Sequence, residues 1–491
     1  MKRHLLFWAL LFWLPAWLAA QPCREVMAYF PGWKWYHRNF LVNPLSIHYD
    51  KYTAIIYAFF DPQPDGSILP FDPQADKILL LGPLREDAPA GYRHRKAHGD
   101  PRWHHHEESL VYRAHASGVK VLVSIGGWTL SKHFSTIAAS EQRRRRFAES
   151  CAQIVQLYQV DGIDIDWEYP GYMAHGGSAA DRRNFTLLLR EVRQRLDELS
   201  SQRGQRLLLT AAFGVAPQRM AMIEWDEVVP LLDYVNLMTY DFYGSSYGQT
   251  NHHAPLYKPR QGIEGYDLES VVHHLCTTYG VPSQKVNIGI AFYGRSSRTR
   301  GEPGLHVATE KGPDRETFSE DSGAPMFYSI LEKQHLFYYH WDHEAQAPWL
   351  RSRPPLNTFV SFEDENSVAR KGRFILQENL AGAIIWDLTG DYIETRPRSG
   401  QVAYTPLAKA LSDALCGRWV FEEDFNPTSF FSRNRLELLA KYKPRLEAYR
   451  SPPRLRIALS EVLSKKDYRK WLRKEKRKLK RSSKRVKYFY D

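Results

Sequence analysis

The chain has 491 residues, of which 43% are hydrophobic, 25% charged and 13% aromatic, enough for two or three domains or one large barrel with additions. This balance excludes a wholly disordered chain, a collagen and a small disulfide scaffold. The net charge of +12 resides in the tail, where 16 Lys and Arg face 4 Asp and Glu between Ser451 and Asp491, so residues 1–450 are neutral and offer no basic face for a nucleic acid.

In chain order, MKRHLLFWALLFWLPAWLAA comes first. Lys2 and Arg3 are the charged lead, Leu5–Leu14 an apolar core too short to cross a bilayer, and Ala19-Ala20 the small residues before a cut ahead of Gln21. Residues 1–20 therefore predict a secretory signal, and with it a secreted protein, extracellular or periplasmic. Cys23, Cys151, Cys276 and Cys416 follow; their spacing resembles no metal site, and three pairings stay open.

Short apolar runs rich in β-branched and aromatic residues predict strands at Glu25–Phe30, Ala54–Phe60, Lys120–Ile125, Gly162–Trp167, Leu207–Ala212, Tyr234–Met238, Val286–Phe292 and Ala381–Trp386. Helical periodicity predicts helices at Glu141–Gln159 and Asp181–Leu199. Strands apolar on both faces and alternating with helices indicate a closed parallel (β/α)8 TIM barrel. Two stretches exceed ordinary connections. Residues 61–106 are polar and hold His94, His98, His104, His105 and His106, read as a solvated loop with no metal. Residues 296–359 read as a small inserted subdomain.

The chemistry concentrates in Asp161-Gly-Ile-Asp-Ile-Asp-Trp-Glu-Tyr-Pro170. Side chains alternate along a strand, so Asp164, Asp166 and Glu168 share the inward face while Ile163, Ile165 and Trp167 face the helices. Asp161 has the opposite parity and turns away. Three converging acids cannot all ionise, so Asp164 and Asp166 are expected to share a proton and Glu168 to hold one as a general acid.

DGIDIDWE resembles the signature of family 18 glycoside hydrolases, the chitinases and their relatives. Ser124-Ile-Gly-Gly-Trp128, Asn236-Leu-Met-Thr-Tyr-Asp241, Phe292-Tyr-Gly-Arg295 and Gly382-Ala-Ile-Ile-Trp386 resemble the same family's motifs on strands three, six, seven and eight, in the family's order. The resemblance implies that Glu168 is the acid/base, that Asp166 orients the substrate's N-acetyl group, which is itself the nucleophile, that Asp164 modulates the proton of Asp166, and that Tyr240 donates to the acetamido oxygen. It further implies that Trp386 is the floor under the distorted sugar, that Met238, Asp241, Tyr293 and Arg295 line the cleft, that Trp128 stacks beyond the scissile bond, and that Tyr29 contributes from the first strand. Arg295 could instead pair with a carboxylate, and Met238 and Trp386 could be plain core. Ser124, Gly126 and Gly127 are read as backbone-packing residues. No cofactor and no metal are implied.

Three regions are expected: residues 1–20 as signal by the leader's pattern, 21–416 as the barrel that the resemblance implies, with 296–359 forming an α+β wall of a groove, and 417–491 as a basic C-terminal extension with no counterpart in the family's motifs. In that barrel Cys23 precedes the first strand and Cys416 ends the last helix, so these two are expected to pair, with Cys151 and Cys276 as buried thiols. The extension is read as a solvated tail, or as a contact to anionic surfaces. The reading is a monomeric secreted chitinase that hydrolyses β-1,4-linked N-acetylglucosamine polymers with retention. The alternatives are an endo-β-N-acetylglucosaminidase or peptidoglycan-directed hydrolase, and a chitin-binding lectin, which the presence of Glu168, Asp166 and Tyr240 disfavours.

Overall fold

The computed structural model describes residues 23–38, 40–88, 101–310, 312–319, 323–394 and 401–419. The leader, His94, His98 and the tail beyond Trp419 lie outside the described residues. In chain order the strands of the barrel and its insertion are β1 (Glu25–Pro31), β2 (Ala54–Pro62), β3 (Ile68–Pro70), β4 (Lys120–Gly126), β5 (Gly162–Asp166), β6 (Leu208–Phe213), β7 (Tyr234–Leu237), β8 (Val286–Ala291), β9 (Arg295–Arg298), β10 (Phe337–Asp342), β11 (Ala347–Ser352), β12 (Thr358–Ser361) and β13 (Gly382–Trp386). Parallel pairing runs β1-β2-β4-β5-β6-β7-β8-β13 and returns to β1, which closes an eight-stranded barrel; β3 is an antiparallel hairpin partner of β2. The eight expected strands are all present, as a (β/α)8 barrel.

Alternation sorts the barrel residues. Val26, Ala28, Ile55, Tyr57, Val121, Val123, Ile163 and Ile165 face outward into the core under the helices. Met27, Tyr29, Ile56, Ala58, Leu122 and Ile384 pack inside. The helix Asp181–Arg203 buries Phe185, Leu188, Leu189, Val192, Leu196 and Leu199 on one stripe. It runs four residues past the expected end at Leu199, because Ser200–Arg203 add no apolar period, and it stops at Gly204, whose φ of 67° is the left-handed terminator. At the base, Asp161 does turn away from the interior: its Oδ2 accepts from His115 Nε2 and from the Val121 amide, both at 2.8 Å.

Between β8 and β13, the insertion is a four-stranded antiparallel sheet in the order β10-β11-β12-β9 with a helix at Phe327–Lys333. It begins at Arg295 and its sheet ends at Ser361, slightly wider than the expected 296–359, because β9 follows β8 after only Phe292-Tyr293-Gly294. Among the described residues no helix is long and apolar enough to cross a membrane.

Cys23 and Cys416 form a disulfide across 393 residues of sequence, joining the start of β1 to the end of the last helix, Pro406–Leu415. Cys151 is a buried thiol as expected, whereas Cys276 is only half-buried, since its helix turns that side toward solvent. A crosslink that closes so long a loop restricts the unfolded chain. Cys416→Ser is expected to lower unfolding stability by about 2–4 kcal/mol, read from the midpoint of guanidinium denaturation; an unchanged midpoint would show that the bond contributes nothing.

Candidate active site

The acids of β5 stand where parity puts them. Asp164 and Asp166 are buried inside the barrel, and Glu168 lies just past the strand's end at the C-terminal mouth, half-buried. The Glu168 backbone is pinned on both sides: its amide donates to Ser131 Oγ at 2.9 Å, and its carbonyl lies 2.7 Å from His175 Nδ1. Trp167 faces outward and stacks on Phe134, with centroids 5.3 Å apart.

Four neighbours donate to the two oxygens of Asp164. Tyr29 Oη (3.0 Å) and Ser124 Oγ (2.7 Å) serve Oδ2; Thr210 Oγ1 (2.5 Å) and Asn236 Nδ2 (3.2 Å) serve Oδ1. Asn287 Nδ2 in turn donates to Asn236 Oδ1 at 3.0 Å. These donors fill the carboxylate's lone-pair sites. Asp166 Oδ1, by contrast, is buried with no hydrogen-bond partner. Burial pushes both carboxyls up, Asp164 against its four donors and Asp166 with none on Oδ1, so the shared proton is biased toward Asp166. Ser124 also departs from its expected role, because its hydroxyl binds the inner carboxylate rather than merely packing. Gly126 and Gly127 do serve the backbone: at φ of 110° and 81°, a Cβ would meet the Asp166 carbonyl oxygen at 2.3 Å and the Phe59 ring at 2.5 Å.

Charge follows from this arrangement. Burial, then the Glu168 and Asp164 charges, push the Asp166 carboxyl well above the usual range. Burial also pushes Glu168 up to about 7, with the Asp241 charge adding to the rise. Desolvation acts to raise Asp241 as well, but the Arg295 guanidinium overcomes it and holds that carboxyl well below its ordinary value. Arg295 clasps Asp241 in a fork, with Nε donating to Oδ1 at 2.7 Å and the second contact from Nη2 to Oδ2. The ion pair weighed for Arg295 is thus real, and the residue lines the cleft as well.

The cleft has a volume of about 1100 Å³ and takes in every expected site residue except the sealed Asp164. On one side, from β1, β2 and β13, the Trp386 ring stacks at 5.7 Å on Phe59 and meets Tyr29 edge-on at 5.4 Å, with Trp33 at 6.3 Å. On the other, beyond β4, β5 and β6, Trp128 is 52% exposed and lies 4.8 Å from the His175 ring and 5.7 Å from Tyr172. Tyr240 and Tyr293 stand between them, ring centroids 6.1 Å apart. Met238 is half-buried and faces the cleft, so it is not plain core.

Sequence reasoning missed Thr210, Asn287, Trp33, Phe59, Arg219 and His253. The fully buried His253 lies with Nδ1 3.6 Å from Asp241 Oδ1 and its ring 5.4 Å from Tyr293. Inward parity on β6 and β8 was a usable signal for Thr210 and Asn287; Phe59 faces inward out of step with β2 because the register shifts between Ala58 and Phe60, and the residues between strands carried no signal. Among the described residues no cluster of His, Cys, Asp and Glu assembles to hold a metal.

A barrel with an acid at its mouth, a sealed carboxylate beneath it and an aromatic cleft defines a carbohydrate-processing site. The profile of the glycosyl hydrolases family 18 matches residues 25–391, and the chain belongs to that family. It is 29% identical to chitinase A1 of Niallia circulans over 78% of this chain and 58% of that protein, and 31% identical to chitinase 1 of Aphanocladium album over 73% and 80%. Of solved structures, chitinase ChiA74 from Bacillus thuringiensis superimposes with a TM-score of 0.68 at 27% identity, covering 82% of this chain and 71% of that one. The chain spans little more than half the length of the Niallia relative.

Proposed function

We propose that the protein is a secreted chitinase that hydrolyses β-1,4-linked N-acetylglucosamine chains with retention, the substrate's acetamido group serving as nucleophile. One observation carries the reading: Glu168 stands at the mouth of a cleft lined by Trp128 and Trp386, beside Asp166, which has a buried oxygen without a partner. The sugar to be attacked lies over Trp386, and the leaving sugar lies against Trp128. Glu168 protonates the glycosidic oxygen. Asp166 holds the acetamido N–H, and Tyr240 donates its hydroxyl to the acetamido oxygen. Asp164 stays fixed beneath Asp166 as an acceptor of four bonds. The Asp241–Arg295 pair and Tyr293 hold the middle of the cleft. Secretion is supported by the leader and by the Cys23–Cys416 bond, which suits an oxidising compartment.

The test is incubation with chitin oligomers of three to six sugars and mapping of the products. Oligomers that bind but persist uncut would make the protein a lectin, and cleavage confined to branched glycan cores would favour the endo-β-N-acetylglucosaminidase alternative.

The acid's environment fixes a pH dependence. Glu168 acts in its protonated form, so kcat/KM is full below its pKa and is lost as pH rises through about 7. Asp241→Asn removes a charge that raises this pKa, so the falling limb is expected to move toward lower pH. A pH profile on chitotetraose checks both; a limb that stays in place in the variant rules out that coupling.

A further inference from the structure

The two halves of the cleft differ in charge. The lining contributed by β1, β2 and β13 and the loops beside them is aromatic: Tyr29, Trp33, Phe59, Phe71 and Trp386. The opposite half carries Arg219, from the short helix Pro217–Met220 that follows β6. Its guanidinium carbon lies 4.5 Å from the Tyr172 centroid and 5.1 Å from Tyr169, two rings that meet edge-on with centroids 6.4 Å apart. Among the described residues no carboxylate pairs with it, whereas the other cation of the cleft, Arg295, is fully engaged by Asp241. Neither ring face offers an oxygen acceptor, so the N–H groups turned away from the two tyrosines are available to an anion. Two aromatic neighbours also fix the orientation in advance, which lowers the entropy lost when a partner binds.

We propose that the leaving-group side of the cleft is a subsite for an N-acetylglucosamine-type sugar bearing a carboxylate, which the Arg219 guanidinium binds as a fork. This rests on the proposed placement of the leaving sugar against Trp128. Two sugar chemistries present such a carboxylate: a terminal unit oxidised at C1 to the aldonate, and a unit carrying a 3-O-lactyl ether. Neutral chitin chains remain substrates; the subsite adds a preference at one end.

The test compares a chitotrimer oxidised at its reducing end to the aldonate with the same trimer reduced to the alditol, which shares the open terminal unit and lacks the charge. A second arm uses the trimer with a 3-O-lactyl group on its terminal sugar against the plain trimer. A charge-assisted bond of this kind corresponds to about a tenfold advantage. In the wild type at low salt, kcat/KM for at least one acidic substrate is expected to exceed that for its neutral counterpart by this factor. Arg219→Gln should bring that ratio to about one, and Arg219→Lys should restore part of it. The arm that responds identifies the source of the carboxylate. Ratios of one in the wild type in both arms, or an unchanged ratio in Arg219→Gln, overturn the proposal. Because each ratio is taken within one variant, a general loss of fold or activity does not mimic the result. A chain that hydrolyses none of these substrates refutes the reading beneath, and the affinities of Glu168→Gln for the same pairs, measured by calorimetry, then decide the subsite on their own.

Discussion

Oligomers stripped of their N-acetyl groups are expected to bind to the cleft and stay intact, with turnover lower by about 10⁵-fold or more, the scale of a lost intramolecular nucleophile. The protein offers nothing to replace the acetamido oxygen. Burial and its acid neighbours favour the protonated form of Asp166, Asp164 is sealed by four donors, and Asp241 is locked to Arg295. Beyond Glu168, which works in its protonated form, no carboxylate of the lining is placed to attack. The acetamido group lies on the sugar itself, next to the reacting carbon, and needs only to be turned and held. Kinetics on matched acetylated and deacetylated oligomers measure the difference. Proton NMR adds an independent check, because two successive displacements deliver the product first as the β-anomer. Initial α-anomer would refute the mechanism even if the rates agreed.

Glu168→Gln is expected to keep the fold and sugar binding while lowering kcat by about 10²- to 10⁴-fold, the usual contribution of a placed general acid. The amide is almost isosteric; the Ser131 hydroxyl and the His175 ring hold the backbone of residue 168, and the amide oxygen can still accept from the Tyr169 hydroxyl and the Trp128 amide that meet the carboxyl. The substitution thus removes the transferable proton while keeping most of these contacts. A Glu168→Gln protein that cleaves chitin oligomers at near-normal rates would transfer the acid role to another residue. Circular dichroism alongside the assay separates loss of chemistry from loss of structure.

The parts of the site that were legible in the sequence are those written along one strand or in one contiguous motif. Asp164, Asp166 and Glu168 announce their shared face because the period of a strand is two and Ile163 and Ile165 take the other face. The barrel itself was legible because its strands are apolar on both sides. The partners of Asp164 were not, although each is an inward residue of its own strand. Ser124, Thr210 and Asn236 reach the carboxylate only through the lateral register of β4, β6 and β7 against their neighbours, which a single sequence does not specify. The uneven sharing of that proton was hidden for the same reason: without those donors, two adjacent carboxyls look equivalent. Arg219 sits on a four-residue helix and His253 in a loop, both too short of any period to assign a direction. The outer pieces ran slightly long or short where the backbone outlasted the apolar pattern, as at Ser200–Arg203.

The inserted sheet begins with a residue of the cleft. Arg295 opens β9, and its side chain reaches back across the mouth to Asp241 just beyond β7. The subdomain therefore cannot be exchanged as a cassette between related barrels by cutting at the first residue of its sheet, since the joint would sever a charge pair whose halves come from opposite sides of it. Asp241 would be left as a bare anion in the cleft, and an incoming sheet would have to bring its own cation in the same register. A chimera joined after Ser297, which leaves Arg295 with the host barrel, keeps the pair intact; one joined before Arg295 transfers the electrostatics of the host's cleft to the donor.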